Sequence, residues 1–236
     1  MLRASLAGMR VAVIVGVSLL LAGCANDVPN DSRPSQSASS TTSTTRSAPP
    51  VTSTTTGAAP TKAPVAGAPI ADVISWIEAG KPADPGAFHS ATLDGATTQI
   101  GDTVAFVTAG TEAACMTNKY VDGELSCLLK LTNPPPRPPD FPTAWKNNWV
   151  DFGGTSVEIG SPHGDPGPFA VGMGAELPAG QTLAFGDYRC RADVAGLFCV
   201  NYAHQSAVLM SKAGVEPFGC LQEATPPPDI GLQFKC

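Results

Sequence analysis

The feature that most restricts this chain is the set of cysteines that follows residue 114. Cys115, Cys127, Cys190, Cys199, Cys220 and Cys236 make an even number, and Cys24, far upstream, brings the total to seven. An even set in a chain with few charges reads as three disulfides, and disulfides persist in an oxidising compartment. Six cysteines allow about 15 pairings, and spacing alone does not choose among them. The pairing adopted is the local one, 115–127, 190–199 and 220–236. In the chain-entropy picture each small loop then stabilises by roughly 3 kcal/mol.

The N-terminus agrees with export. Met1 to Arg10 carries Arg3 and Arg10 and no acid, and Val11 to Leu21 is apolar. That run is about half the roughly 20 residues a spanning helix needs, so it reads as a signal h-region. It closes on Leu21-Ala22-Gly23-Cys24, which resembles the lipobox of a bacterial lipoprotein. The resemblance implies cleavage after residue 23, a palmitate-type lipid on Cys24, and a place on the extracytoplasmic face of the cell membrane. It also balances the cysteine count, because removing Cys24 from the thiol pool leaves the six above. The plainer alternative is a cleaved secretory signal without lipid. One acyl chain holds weakly at about 0.8 kcal/mol per methylene, whereas the two or three chains of such lipoproteins hold stably.

Residues 24–67 are Ser, Thr, Pro and Ala with runs such as Thr41-Thr42-Ser43-Thr44-Thr45 and almost no large apolar side chain. A segment of that composition does not bury enough surface to offset its ordering entropy. It reads as a disordered tether, and it also resembles O-glycosylated stalks.

The third region, 68–236, is expected to fold as a mainly β, disulfide-bonded antiparallel sandwich or barrel-like domain with one short N-terminal helix. Gly (24) and Pro (23) are abundant and only 14% of residues are charged, which favours turns and short strands over long surface helices. Ile70, Val73, Ile74 and Ile77 recur at helical spacing, so a helix is expected from about Ile70 to Ala79, with Trp76 off the stripe and Gly80 as its C′ residue. From Pro85 the period becomes two. Strands are expected at 87–93, 103–108, 113–116, 125–131, 182–191, 197–202 and 207–210, with weaker ones at 155–159 and 169–171. Asp122-Gly123 is a hairpin turn dipeptide that puts Cys115 and Cys127 on neighbouring strands, in no evident register. A loop at 193–196 pairs Ala192 with Leu197, Arg191 with Phe198 and Cys190 with Cys199, bringing the last pair within disulfide reach. A 220–236 bond would pin a Pro-rich end that otherwise frays.

Candidate chemistry is thin. No His-Glu-x-x-His, Gly-x-Ser-x-Gly, Walker loop or Cys-x-x-Cys occurs, and no cofactor or metal is expected. Trp145 and Trp149, with Phe141 and Phe152 nearby, read either as core or as a binding platform. Pro134 to Pro139 reads as a rigid connection, or as a ligand for an aromatic groove. His163-Gly164-Asp165 reads as a solvated turn, since a metal site needs three or four ligands. His204 lies near Ser206, and a triad with Asp165 or Asp187 is conceivable, though spacing does not supply its geometry. The formal net charge of −6, still more negative once Arg3 and Arg10 are removed, disfavours nucleic acid and anionic headgroups.

Residues 103–217 are similar to a group of actinobacterial, especially mycobacterial, Lpp-type secreted proteins and lipoproteins of unknown function. The marks are Phe106 and Cys115, then Cys127 and a following Trp. Leu183-Ala184-Phe185-Gly186 runs into Tyr188-Arg189-Cys190, and Gly196-Leu197-Phe198-Cys199-Val200-Asn201 and Ser211-Lys212 follow. Such chains often carry Gly-His-Gly-Phe where this one has Gln205-Ser206-Ala207-Val208. The resemblance implies an envelope address and a β architecture. The expected function is therefore a lipid-anchored envelope lipoprotein with a non-catalytic binding module for an envelope protein, glycan or lipid. An envelope hydrolase using His204 or His163 with a nearby Ser or Asp is the alternative.

Overall fold

The computed structural model describes residues 60–139, 141–142 and 144–236. The expected signal segment 1–23, Cys24 and the expected tether as far as residue 59 lie outside the described residues. Every element below belongs to the unit 54–236.

The chain enters through α1 (Ile70–Glu78), short β1 (Lys81–Pro82) and a 3-10 turn at Pro85–Phe88, then a hairpin of β2 (Ser90–Leu93) and β3 (Ala96–Gln99). Next come β4 (Ala105–Thr108), β5 (Ala113–Thr117), β6 (Leu125–Leu128), β7 (Lys146–Phe152) and β8 (Ser156–Ser161). A second 3-10 turn, Gly167–Val171, precedes β9 (Ala175–Glu176), β10 (Gln181–Phe185), β11 (Tyr188–Asp193), β12 (Gly196–Asn201), β13 (Ser206–Ser211) and β14 (Gly214–Gly219). The chain closes with β15 (Gln222–Ala224) and β16 (Leu232–Lys235).

These strands form a six-stranded sheet, β1-β10-β11-β12-β13-β14, and an eight-stranded sheet, β15-β16-β8-β7-β6-β5-β4-β9. Both are antiparallel apart from the short outer pairs β1–β10 and β4–β9. One cluster joins their inner faces: Phe106, Val150 and Phe152 from the larger sheet meet Leu183, Tyr188 and Leu197 from the smaller. The domain is thus the expected mainly β sandwich, and alternation along β11 shows why. Tyr188, Cys190 and Ala192 turn inward while Arg189, Arg191 and Asp193 turn out.

All three local disulfides are present, 115–127, 190–199 and 220–236. The β11–β12 register is the one read from the sequence, and it runs one pair further toward the turn, to Asp193 opposite Gly196, and two pairs further at the other end, to Tyr188 opposite Asn201. Cys115 also faces Cys127 directly, a register the longer loop had concealed. Both pairs are nearly fully buried in the shared core, one on each sheet.

Several elements differ from expectation. The run 182–191 is a hairpin, not one strand, because Gly186 takes a positive φ of 46° and turns the chain between β10 and β11. Residues 169–171 lie in a 3-10 turn, since Pro166 and Pro168 deny the segment ladder donors. The stretch around Trp149 is a full strand, β7, whose apolar residues pack on both faces of the sheet and so hide the period of two. Trp76 belongs to the packed face of α1 at 5% exposed, beside Val73 and Ile77. Gly80 stands at the expected C′ position after the Ala79 cap but without a positive φ, and close approach is what requires it: a Cβ there would lie 2.5 Å from the Thr182 methyl. The Pro-rich end is not a loose tail, because β16 pairs with both β15 and β8.

Candidate functional site

The two sheets differ in what covers their outer faces. On the smaller sheet, α1 lays Val73, Trp76 and Ile77 over Phe198, Val200, Ala207 and Phe218. Trp76 meets Phe198 edge-on at 6.4 Å, and the Arg191 guanidinium lies 3.6 Å from the Trp76 ring centre. Ala63, near the C-terminal end of the expected tether, packs against this cluster as well.

The outer face of the larger sheet is half apolar and half polar. On the apolar half, Trp149, Met116, Ala105 and Phe169 cluster with Ala91 of the β2–β3 hairpin. The polar half is a row in register across four strands: Ser126 opposite Asp151, Asp151 opposite Glu158, and Glu158 opposite Gln233. The Ser126 hydroxyl donates to Asp151 at 2.6 Å and the Gln233 amide to Glu158 at 2.7 Å. Trp149 joins the halves, its indole N–H donating to Asp151 at 2.8 Å.

This arrangement places the sequence-derived candidates. Trp149 is 1% exposed, stacked under the His163 ring at 3.6 Å and met edge-on by Phe169 at 5.3 Å. Trp145 is half-buried, lies edge-on to Phe141 at 5.9 Å and covers Gly160, where a Cβ would come within 2.8 Å of its ring. The two indoles make different contacts and do not form one open platform. His163 Nε2 is 3.9 Å from Asp151 Oδ2. Asp165 accepts the Gly167 amide in its own turn. Ser206 is buried and its hydroxyl donates to the Gly154 carbonyl, while the His204 amide donates to Asn201. The imagined Ser206–His204–Asp arrangement is therefore not assembled with either Asp165 or Asp187. Among the described residues no three His, Cys, Asp or Glu side chains are placed to hold a metal. No described helix is long and apolar enough to cross a membrane.

A concavity lies elsewhere, at one end of the sandwich. It is a cleft of about 470 Å³ between the β5–β6 loop and the β10–β11 turn. Asp102, Asp122, Glu124 and Asp187 stand on its walls, with Phe185 and Tyr188 at the inner side. The Tyr188 hydroxyl lies 2.7 Å from the Phe152 carbonyl and 2.9 Å from that of Gly123, so one proton serves two acceptors and ties the loop to the core. Burial pushes this phenol up to about 12. Phe185 stacks on Tyr188 at 5.6 Å.

Glu124 is the perturbed acid of the cleft. Desolvation first, then the Asp151 and Glu158 charges, push it up to about 7 against the Asn118 amide, which donates to it at 2.7 Å. Asp151, by contrast, accepts from both Ser126 and Trp149. A perturbed carboxyl such as Glu124 is common to functional sites and to structural networks alike.

Sequence reading missed this cleft. Its signal was available as Gly101-Asp102, Asp122-Gly123 and Gly186-Asp187, three Gly/Asp turn dipeptides that read separately as punctuation. Only the pairing of the sheets brings them to one end. Searches against known proteins match no family model, no curated protein and no solved structure.

Proposed function

We propose that this protein is a lipid-anchored lipoprotein of the bacterial cell envelope, related to the mycobacterial group it resembles, whose β domain is a non-catalytic binding module. The observation that carries the reading is the open cleft between the β5–β6 loop and the β10–β11 turn. Its walls come from turns on a disulfide-braced scaffold, the usual way a rigid fold presents recognition residues. Its volume falls within the roughly 300–1,000 Å³ of small-ligand sites. The lipobox-like Leu21-Ala22-Gly23-Cys24 and the tether support the address.

The address is tested by metabolic labelling with a fatty-acid analogue. Wild type incorporates it and Cys24→Ser does not; equal labelling removes the lipid anchor. The binding role is tested with a photo-crosslinking amino acid at Phe185, using Val194, at the far end of β11, as the control position. A discrete adduct with one envelope component from Phe185 alone is expected, and identical adducts from both positions remove the cleft as the site.

The envelope hydrolase is the second reading, favoured by His163 lying beside Asp151 in a network that also reaches Glu124. Its test is turnover of ester and glycan substrates by wild type and His163→Ala; no turnover by wild type ends it.

A further inference from the structure

The 470 Å³ cleft is not isolated. A second cavity of about 280 Å³ shares Thr103 and Lys119 with it, so the two adjoin along one surface. The second cavity is a slot between the β2–β3 hairpin, β5 and the Gly167–Val171 turn, walled by Ile100, Met116, Pro168 and Val171. Met116 is buried, while Ile100 and Val171 are half-buried, so a guest there would meet aliphatic surface, with Thr98, Gln99 and Thr103 beside it. An apolar slot next to a charged cleft fits a ligand whose polar and apolar parts are adjacent.

We propose that the cleft and slot form one groove that takes a basic peptide segment, its arginine or lysine among Asp102, Asp122 and Asp187 and a neighbouring apolar side chain in the slot. This rests on the binding-module reading and names the chemistry of the partner. Charge is the first argument. Asp102, Asp122 and Asp187 are all exposed on the rim, with Glu124 beside them. The one lining cation, Lys119, lies 5.0 Å over the Tyr120 ring. A concave surface of one dominant sign concentrates opposite charge and rejects phosphates and anionic headgroups.

The second argument separates a cation from a neutral glycan. Sugar recognition on aromatic residues needs an open ring face. Here Phe185 stacks on Tyr188, Phe106 packs against it at 6.0 Å, and Tyr188 is only 5% exposed. The Tyr188 hydroxyl is already engaged by two carbonyls. Beside Thr103, Asn118 and Lys119, the rim offers the carboxylate oxygens of three exposed aspartates, which a guanidinium takes in two parallel hydrogen bonds. The third argument is size. The slot alone is below the usual range for a small-molecule site, whereas cleft and slot together hold a few residues of extended chain.

The test is fluorescence anisotropy of the full-length, detergent-solubilised protein with a labelled Leu-Arg-Arg-Gly peptide. Comparison probes are Leu-Glu-Glu-Gly, Gly-Arg-Arg-Gly and a chitin tetrasaccharide. Binding of Leu-Arg-Arg-Gly is expected, weakened about tenfold or more in high salt and by Asp122→Asn/Asp187→Asn. Leu-Glu-Glu-Gly and the sugar should not bind, and Gly-Arg-Arg-Gly should bind several-fold more weakly. Thermal unfolding of the double variant should match wild type, and Asp102→Asn repeats the measurement at an independent turn. No binding, binding indifferent to these carboxylates or to salt, or preference for the sugar overturns the proposal. If the peptide fails while the Phe185 crosslink persists, the binding module stands and its partner is not basic; loss of both removes the module too.

Discussion

The outer faces of the two sheets invite comparison, because the sheets share one core and each carries one buried cross-strand disulfide. The smaller sheet buries its second face under α1, so β12 is buried along its whole length. The larger sheet covers only half of its second face with the β2–β3 hairpin and the Gly167–Val171 turn. On the remainder it carries the row from Ser126 to Gln233. The lesson is that a helix closes a face, whereas a small hairpin leaves room for polar side chains and for a groove along its edge.

The largest expected effect tests whether the two faces are equally structural at their tryptophans. Trp76→Ala and Trp149→Ala should each cost about 3–5 kcal/mol in urea unfolding, since both side chains are buried. If Trp149→Ala costs under about 1 kcal/mol, a level usual for surface changes, its ring is a platform and the comparison breaks. Next come the disulfides. Replacing Cys190 and Cys199 together by Ala, or Cys115 and Cys127, should cost about 3 kcal/mol each by loop entropy. The 220–236 pair has both ends exposed. Its loss should leave the core transition in place and loosen the outer strand β15, seen as hydrogen exchange confined to Gln222–Ala224, while β16 stays held by β8 and by Phe234 in the core. Equal global losses for all three pairs would show that burial of the cystine does not matter.

A smaller effect concerns the polar row. Asp151→Ala leaves the Trp149 N–H and the Ser126 hydroxyl without their acceptor, at about 1–3 kcal/mol. A negligible shift in the urea midpoint would mean that water replaces the carboxylate and that the row contributes little.

The smallest effect is a pH slope from Glu124. Its folded value, about 7, lies above its ordinary value of 4.5, so between those values the fold holds a proton that the unfolded chain has released. Stability from this group is therefore full below about 4.5, declines as pH rises to about 7, and stays lower above it. Partial exposure keeps the effect modest. Glu124→Gln should flatten that slope relative to wild type, read as the difference in unfolding midpoint between pH 4.5 and 8. Parallel slopes would place Glu124 in open solvent.

Much of the smaller sheet was legible because its signals are local. The residues between Cys190 and Cys199 close on a short loop, and only one register satisfies both the alternation and the cysteine pair. Ile70 to Ile77 reads as a helix for the same reason. The larger sheet was harder. The loop between Cys115 and Cys127 is longer, and β7 is apolar on both sides, so period two is lost around Trp149. β14 escaped notice because Gly214, Pro217 and Gly219 look like turn residues, yet the strand lies at the sheet edge, where a missing donor is tolerated.

By itself the sequence determined the mainly β class, the short helix, the even set of six cysteines and the acidic, charge-poor composition. These follow from spacing, side-chain period and residue chemistry, all of which act over a few residues. Only the tertiary structure decided which faces are closed, that Trp149 lies beneath His163, and that Asp102, Asp122 and Asp187 stand around one cleft. Those outcomes depend on how two sheets stack. Stacking brings together turns far apart in the chain, and no local periodicity records it.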